Sequence, residues 1–182
     1  ETAIHDVAQA VSSEAQALAK DRPYRVSVEC PERVVVQTDR VKVQQILTNL
    51  VTNAVKFTEK GSVKIVCKKL PDGCAIDVRD TGIGIPAAYL DVIFDEFRQV
   101  DGSSTRVYQG TGLGLAIARR FARILGGDVT VTSTVGVGST FTLRLPTVAP
   151  PDRVHDLQDL RARPKRPTLP PALPIAARTG QM

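Results

Sequence analysis

NLVTNAVKF (49–57), DTGIGIP (80–86) and GTGLGLAIARRF (110–121) follow one another along the chain in that order. The first is the second half of an amphipathic pattern. At 100° per residue, Gln45, Asn49, Asn53 and Lys56 fall within a sector of about 80°, and Val43, Leu47, Leu50, Val51 and Ala54 fall opposite. One face therefore packs, and the other shows three carboxamides, two of them asparagines, and an ammonium. Any solvated helix face is polar, but asparagine is a poor helix former, and two of them inside one helix call for a reason.

Outward from that helix the chain alternates short elements. Residues 2–20 carry apolar side chains at helical spacing, and 24–30 and 33–38 are valine-rich runs split by Pro31. Thr38-Asp39 offers an N-cap for a helix over 40–57. Residues 62–70 and 74–80 alternate around Pro71-Asp72-Gly73, a hairpin signal. Regular patterning then fades from 82 to 110, and a loop of that length is usually functional. A helix over 112–125, with Leu113, Ile117, Phe121 and Ile124 as its buried stripe, stops at Gly126-Gly127. A second hairpin turns at 135–138. Strands outnumber helices and come mostly as hairpins, so the expected fold is an α/β (α+β) two-layer sandwich, a mixed, mostly antiparallel sheet with helices on one face.

The 182 residues suit one domain with excess length. The expected division is an N-terminal helix at 1–20, a domain at 21–146 and a tail at 147–182. The tail holds seven of the twelve prolines, and six Lys/Arg against three Asp/Glu, hence +3 of the formal +5 charge. Such a basic tail could touch nucleic acid or acidic lipid, but its composition reads first as solvated and unfolded, and no nucleic-acid partner is expected. No stretch approaches the ~18 apolar residues of a membrane span, and no signal peptide stands at the start. The first residue is Glu1 rather than Met, which suggests a fragment. Cys30, Cys67 and Cys74 form no CxxC, and no zinc site is expected. Cys67 and Cys74 flank KKLPDG, in position to face each other across a hairpin. All three read as reduced small hydrophobes, which points to the cytoplasm.

The chemistry of the three segments converges on a nucleotide. Amide oxygens are hard neutral ligands suited to Mg²⁺, and Lys56, one turn beyond Asn53, can offset phosphate charge. Asp80, at the end of a strand, can accept a hydrogen bond from the exocyclic amine of adenine, while Gly82 and Gly84 let backbone approach a base. DTG alone would also serve as a turn after a strand. Thr140 is a candidate second contact to the base, or simply a β-branched strand residue. Gly110, Gly112 and Gly114 precede a helix, where free N–H groups and the dipole attract anions. A Rossmann site would need a strand directly before the glycines, and a Walker loop would need GxxxxGK[ST]; neither is present.

Taken together, the segments resemble the ATP-binding catalytic domain of bacterial sensor histidine kinases, of the wider superfamily (the Bergerat fold) that includes gyrase, Hsp90 and MutL. QQILTNLVTNAVKFTEKG (44–61) resembles the N box, DTGIGIP the first glycine box, IFDEFRQVD (93–101) the F box and GTGLGLAIARR (110–120) the second glycine box. The resemblance implies that Asn53 coordinates Mg²⁺, supported by Asn49, and that Lys56 meets phosphate. Asp80 would read adenine, with Gly82 and Gly84 shaping the pocket. Phe57, Ile85, Thr111, Leu113 and Leu115 would border the nucleotide, and Gly110, Gly112 and Gly114 its phosphates. Residues 98–111 would be a mobile ATP lid anchored by Phe94 and Phe97, with Arg106 a γ-phosphate contact; Gln109 stands where many relatives carry glycine.

Hydrolytic members of the superfamily place a glutamate one turn before the metal asparagine. Asn49 stands there, and a carboxamide is no general base. The implied function is to present the γ-phosphate of Mg·ATP to a histidine on a separate dimerisation domain, with a response-regulator receiver domain downstream. Alternatives are a degenerate ATP-binding interaction module and a hydrolytic clamp of the gyrase or Hsp90 type. His5-Asp6 looks superficially like the family's phosphoacceptor pair, but it lies too near the domain to head a helical hairpin and reads as a surface histidine.

Overall fold

The computed structural model describes residues 1–18, 24–96 and 112–151. The element order is β1 (Thr2–Ala3), α1 (Ile4–Leu18), β2 (Tyr24–Glu29), β3 (Val35–Val36), α2 (Arg40–Phe57), β4 (Gly61–Leu70), β5 (Gly73–Asp80), a 3-10 turn (Ala87–Tyr89), α3 (Gly114–Ile124), β6 (Asp128–Thr134) and β7 (Gly138–Pro146). Five strands form one sheet in the order β2-β4-β5-β7-β6. Only β2 and β4 run parallel, and α2 lies in the crossover between them, because parallel neighbours need a long connection. The other three pairings are antiparallel.

Asp39 starts α2: its carboxylate accepts from the amides of Val41 at 2.9 Å and Lys42 at 3.1 Å. The helix then buries Val43, Ile46, Leu47, Leu50, Val51 and Ala54. Strand alternation supplies the opposing layer, with Ile65, Ile76, Val78 and Leu143 fully buried. Each such side chain contributes about 1.5–3 kcal/mol on burial. Leu50→Ala would therefore cost about 2–5 kcal/mol once the cavity is counted. α1 joins the same core through Ile4, Val7, Ala8 and Val11.

Four expectations need correcting. The run 33–38 forms only the two-residue β3, which pairs with β1 rather than with the main sheet. α3 buries Ala118 and Ala122, while Ile117 and Ile124 are 38% and 39% exposed. Small side chains set the close contact, and the larger ones flank it. Backbone pairing also continues past Pro146: the Thr147 amide donates to Asp72 and the Ala149 amide to Gln37.

The fourth correction is covalent. Cys30 and Cys67 are joined by a disulfide across 37 residues. β2 and β4 pair Glu29 with Val66, which sets the next residues, Cys30 and Cys67, side by side. The hairpin register instead pairs Cys67 with Ile76 and Lys69 with Cys74, so Cys67 and Cys74 do not face each other. Cys74 is free and buried, and burial pushes its thiol up to about 11. Among the described residues, no helix is long and apolar enough to cross a membrane.

Candidate functional site

Three turns meet at one end of the sheet. At the end of α2, the Phe57 carbonyl accepts the Ile83 amide at 3.2 Å, tying the helix to the turn after β5. A Cβ on Gly82 would collide with that carbonyl, so only glycine allows the approach. On the other side, the Ile85 amide donates to Ser133 Oγ at 2.8 Å and the Gly136 amide to the Ile83 carbonyl at 2.8 Å. The glycine turn is thus held between α2 and the β6–β7 hairpin.

Asp80 sits at the centre, 9% exposed. Its Oδ1 accepts from the amides of Gly82 at 2.9 Å and Ser139 at 3.2 Å. Burial raises its pKa above the ordinary 3.8, and the two amides only partly offset that. The Ser139 contact escaped the sequence reading because a backbone N–H, which every residue except proline carries, makes it. The register pairs Asp80 with Ser139 and Arg79 with Thr140. Thr140 therefore points to the opposite face of the sheet from the carboxylate. It does line a depression of about 290 Å³, together with Asp80, Ser133, Val137 and Ser139. A depression of equal volume beneath Ala3, His5, Cys30 and Arg33 contains none of the three segments.

Across from this turn, α2 faces the start of α3. A Cβ built on Gly114 would lie 3.8 Å from Asn49 Oδ1 and 3.9 Å from Asn53 Nδ2. Both amides thus look onto the first residue of α3, a helix start with no side-chain cap among the described residues. Asn49 Nδ2 is buried and has no hydrogen-bond partner among the described residues. A buried donor left open beside uncapped helix N–H groups is suited to an incoming acceptor such as a phosphate oxygen. Lys56 lies over the Phe57 ring at 5.1 Å, one turn beyond Asn53. Gly112 adopts φ +69°, the left-handed turn that leads into the helix.

The structure brings together Asn49, Asn53 and Gly114 on one side, and Asp80, Gly82, Gly84 and Ile85 on the other. Phe97, Arg106, Gly110, Thr111 and the expected lid over 98–111 lie outside the described residues, as does the tail from 152. His5 stands in the first turn of α1, its side chain 53% exposed and 3.5 Å from Asp6.

The chain is similar to proteins already known. Residues 38–149 match the family described as histidine kinase-, DNA gyrase B-, and HSP90-like ATPase. Hybrid signal transduction histidine kinase D of Dictyostelium discoideum is 44% identical over 136 residues, 71% of this chain and 9% of its own length. The aerobic respiration control sensor protein ArcB of Escherichia coli is 45% identical over 131 residues, 71% of this chain and 17% of its own. The chain thus spans less than a fifth of either relative. Among solved structures, full-length ShkA in complex with AMPPNP superposes with a TM-score of 0.72 at 29% identity, covering 82% of this chain and 31% of that one. The catalytic domain of the histidine kinase ThkA, at 23% identity, shares the fold with a TM-score of 0.70 over 82% of this chain and 97% of its own. The chain belongs to the histidine kinase-, DNA gyrase B- and HSP90-like ATPase family.

Proposed function

We propose that this chain binds Mg·ATP and presents its γ-phosphate to a histidine on a separate dimerisation domain of a two-component sensor kinase. The carrying observation is the meeting of Asn49 and Asn53 with Gly114 at the uncapped start of α3. It puts a metal-type face and a phosphate-type turn in one place, with the Asp80 carboxylate at the turn beyond.

Asp80 accepts from the adenine amine, while Gly82 and Gly84 keep the backbone low enough for the base to approach. Phe57 and Ile85 border the base, with Leu113 and Leu115 nearer the phosphates. Asn53, supported by Asn49, holds Mg²⁺, and the open Asn49 donor and the buried position of its amide fit that ion's phosphate shell. When bound, Mg²⁺ neutralises charge on the phosphate oxygens. Lys56 adds a point charge, the α3 amides receive the phosphates, and Arg106, Gly110 and Thr111 complete the set. Asn49 cannot take a proton from water, so transfer to an arriving acceptor is favoured over hydrolysis. A receiver domain is the onward partner, in keeping with relatives named as hybrid kinases.

Calorimetry with a non-hydrolysable ATP analogue and Mg²⁺ tests the site. Asn53→Ala should weaken binding by about 10–100-fold, the usual effect of disturbing a metal site. Unchanged affinity would remove Asn53 from the metal. Incubated with labelled ATP, the chain should label a helical hairpin supplied in trans, and His5→Ala should change nothing. Rapid phosphate release by the chain alone would favour the hydrolytic clamp.

A further inference from the structure

Resting on that nucleotide reading, we infer that Arg119 is a positioning residue that holds the base side and the phosphate side of the site in register. The two sides belong to different parts of the chain. Asp80 and the glycine turn lead into 86–96, a string of tight turns in which Tyr89, Leu90, Val92, Ile93 and Asp95 donate their amides three or four residues back. The phosphate side is the start of α3, facing Asn49 and Asn53.

α2 touches both sides, and one guanidinium adds a second link between them. Arg119 lies five residues beyond Gly114 on α3, about 7.5 Å along the axis. Its guanidinium carbon stacks 4.7 Å from the centre of the Phe94 ring. Phe94 meets Phe141 edge-on from its own side, with ring centres 6.4 Å apart. The same guanidinium grips Asp128 with two bonds, Nε to Oδ1 at 3.0 Å and Nη2 to Oδ2 at 3.2 Å. A forked ion pair fixes the plane of the guanidinium, and the fixed plane is what an aromatic face can stack on.

Removing the guanidinium leaves the rest of the cluster standing. Asp128 keeps Arg123, at 3.4 Å, and Phe94 keeps Phe141. The loss falls on the link between Phe94 and α3. A ligand that spans both sides should notice it, whereas a ligand confined to the base side should not.

That difference separates positioning from general stability. Affinities of a non-hydrolysable ATP analogue and of adenosine are measured by NMR titration on the full chain, with thermal melts alongside. Arg119→Gln should raise the Kd of the analogue about three- to tenfold, in line with loss of a stacked cation, and leave adenosine within about twofold. Arg119→Lys keeps the charge and loses the planar stack, so it should fall between; it carries the test if the glutamine variant does not fold. An unchanged Kd for the analogue, or an equal loss for both ligands, overturns the inference. A wild-type chain that binds no analogue overturns the nucleotide reading and this inference with it.

Discussion

Asp77 and Asp80 are three residues apart on one strand, both buried, and they have opposite electrostatics. Asp77 is 5% exposed on the helix-free face of the sheet. Burial alone would push it up, but Arg79 at 2.7 Å, Lys68 at 2.8 Å and the Thr142 hydroxyl at 2.9 Å outweigh that and hold it below the ordinary carboxylate range. Asp80 faces the helices with two backbone amides and, among the described residues, no cation beside it, and burial holds it above that range. A carboxylate with cations around it is finished as structure. One kept buried without them still has hydrogen-bonding capacity to offer a ligand. Burial therefore does not separate the two, and the partners do.

The sharpest way to break the comparison is Asp80→Asn. The amide oxygen can keep the Gly82 and Ser139 contacts, so the fold should hold and gain slightly from losing a desolvated charge. The amide nitrogen then replaces the acceptor with a donor, which opposes the adenine amine. Affinity for an ATP analogue should fall about 10–100-fold, the range for a hydrogen bond to a charged group. An inosine analogue, whose base presents an oxygen at that place, should lose much less. Equal losses for both, measured by calorimetry, would remove Asp80 from base recognition.

Asp77→Asn sets the other half of the comparison. Breaking a buried ion pair costs about 3–5 kcal/mol, but Lys68 and Arg79 are 49% and 45% exposed and recover much of that in water. The expected destabilisation is about 1–2 kcal/mol by chemical denaturation, with nucleotide affinity within about twofold of wild type. A large loss of affinity with an intact fold would give Asp77 a share in the site.

How far the sequence reached follows from the range of the interactions. α2 was legible to the residue, since the Asp39 cap, the apolar period and the closing Thr58 are all local. Both hairpins were legible because their turns lie between their strands. The ordered segments that resemble the family also single out Asn49, Asn53, Gly114 and, beside Gly82, Asp80, residues that the fold does bring close. What escaped was set by partners far along the chain. β3 pairs with β1 across more than thirty residues, and Cys30 meets Cys67 only because β2 and β4 run parallel. The buried stripe of α3 runs along its alanines because contact with α2 favours small side chains over apolar bulk. Residue type alone points to Thr140, whereas register sets Ser139 opposite Asp80.

Acidification should pull the two aspartates apart in the gentlest way. Asp39, Asp77 and Asp128 have folded pKa values below the ordinary 3.8. Their stabilisation is full above 3.8 and is lost only as pH falls from there through the lowered values. Asp80 has the opposite sign: its folded pKa lies above 3.8, so the folded state takes up that proton first. As pH falls through the raised value towards 3.8, Asp80 protonates and the fold gains slightly rather than loses. Both backbone amides bind Oδ1, so the proton goes to Oδ2 and turns the remaining acceptor into an O–H. Nucleotide affinity should therefore decline between neutral pH and the ordinary carboxylate range while the melting temperature holds. The Asp80→Asn variant should show no such decline, as its side chain does not titrate. Parallel titrations and melts across that range are the check; affinity that falls only with unfolding would return Asp80 to a structural role alongside Asp77.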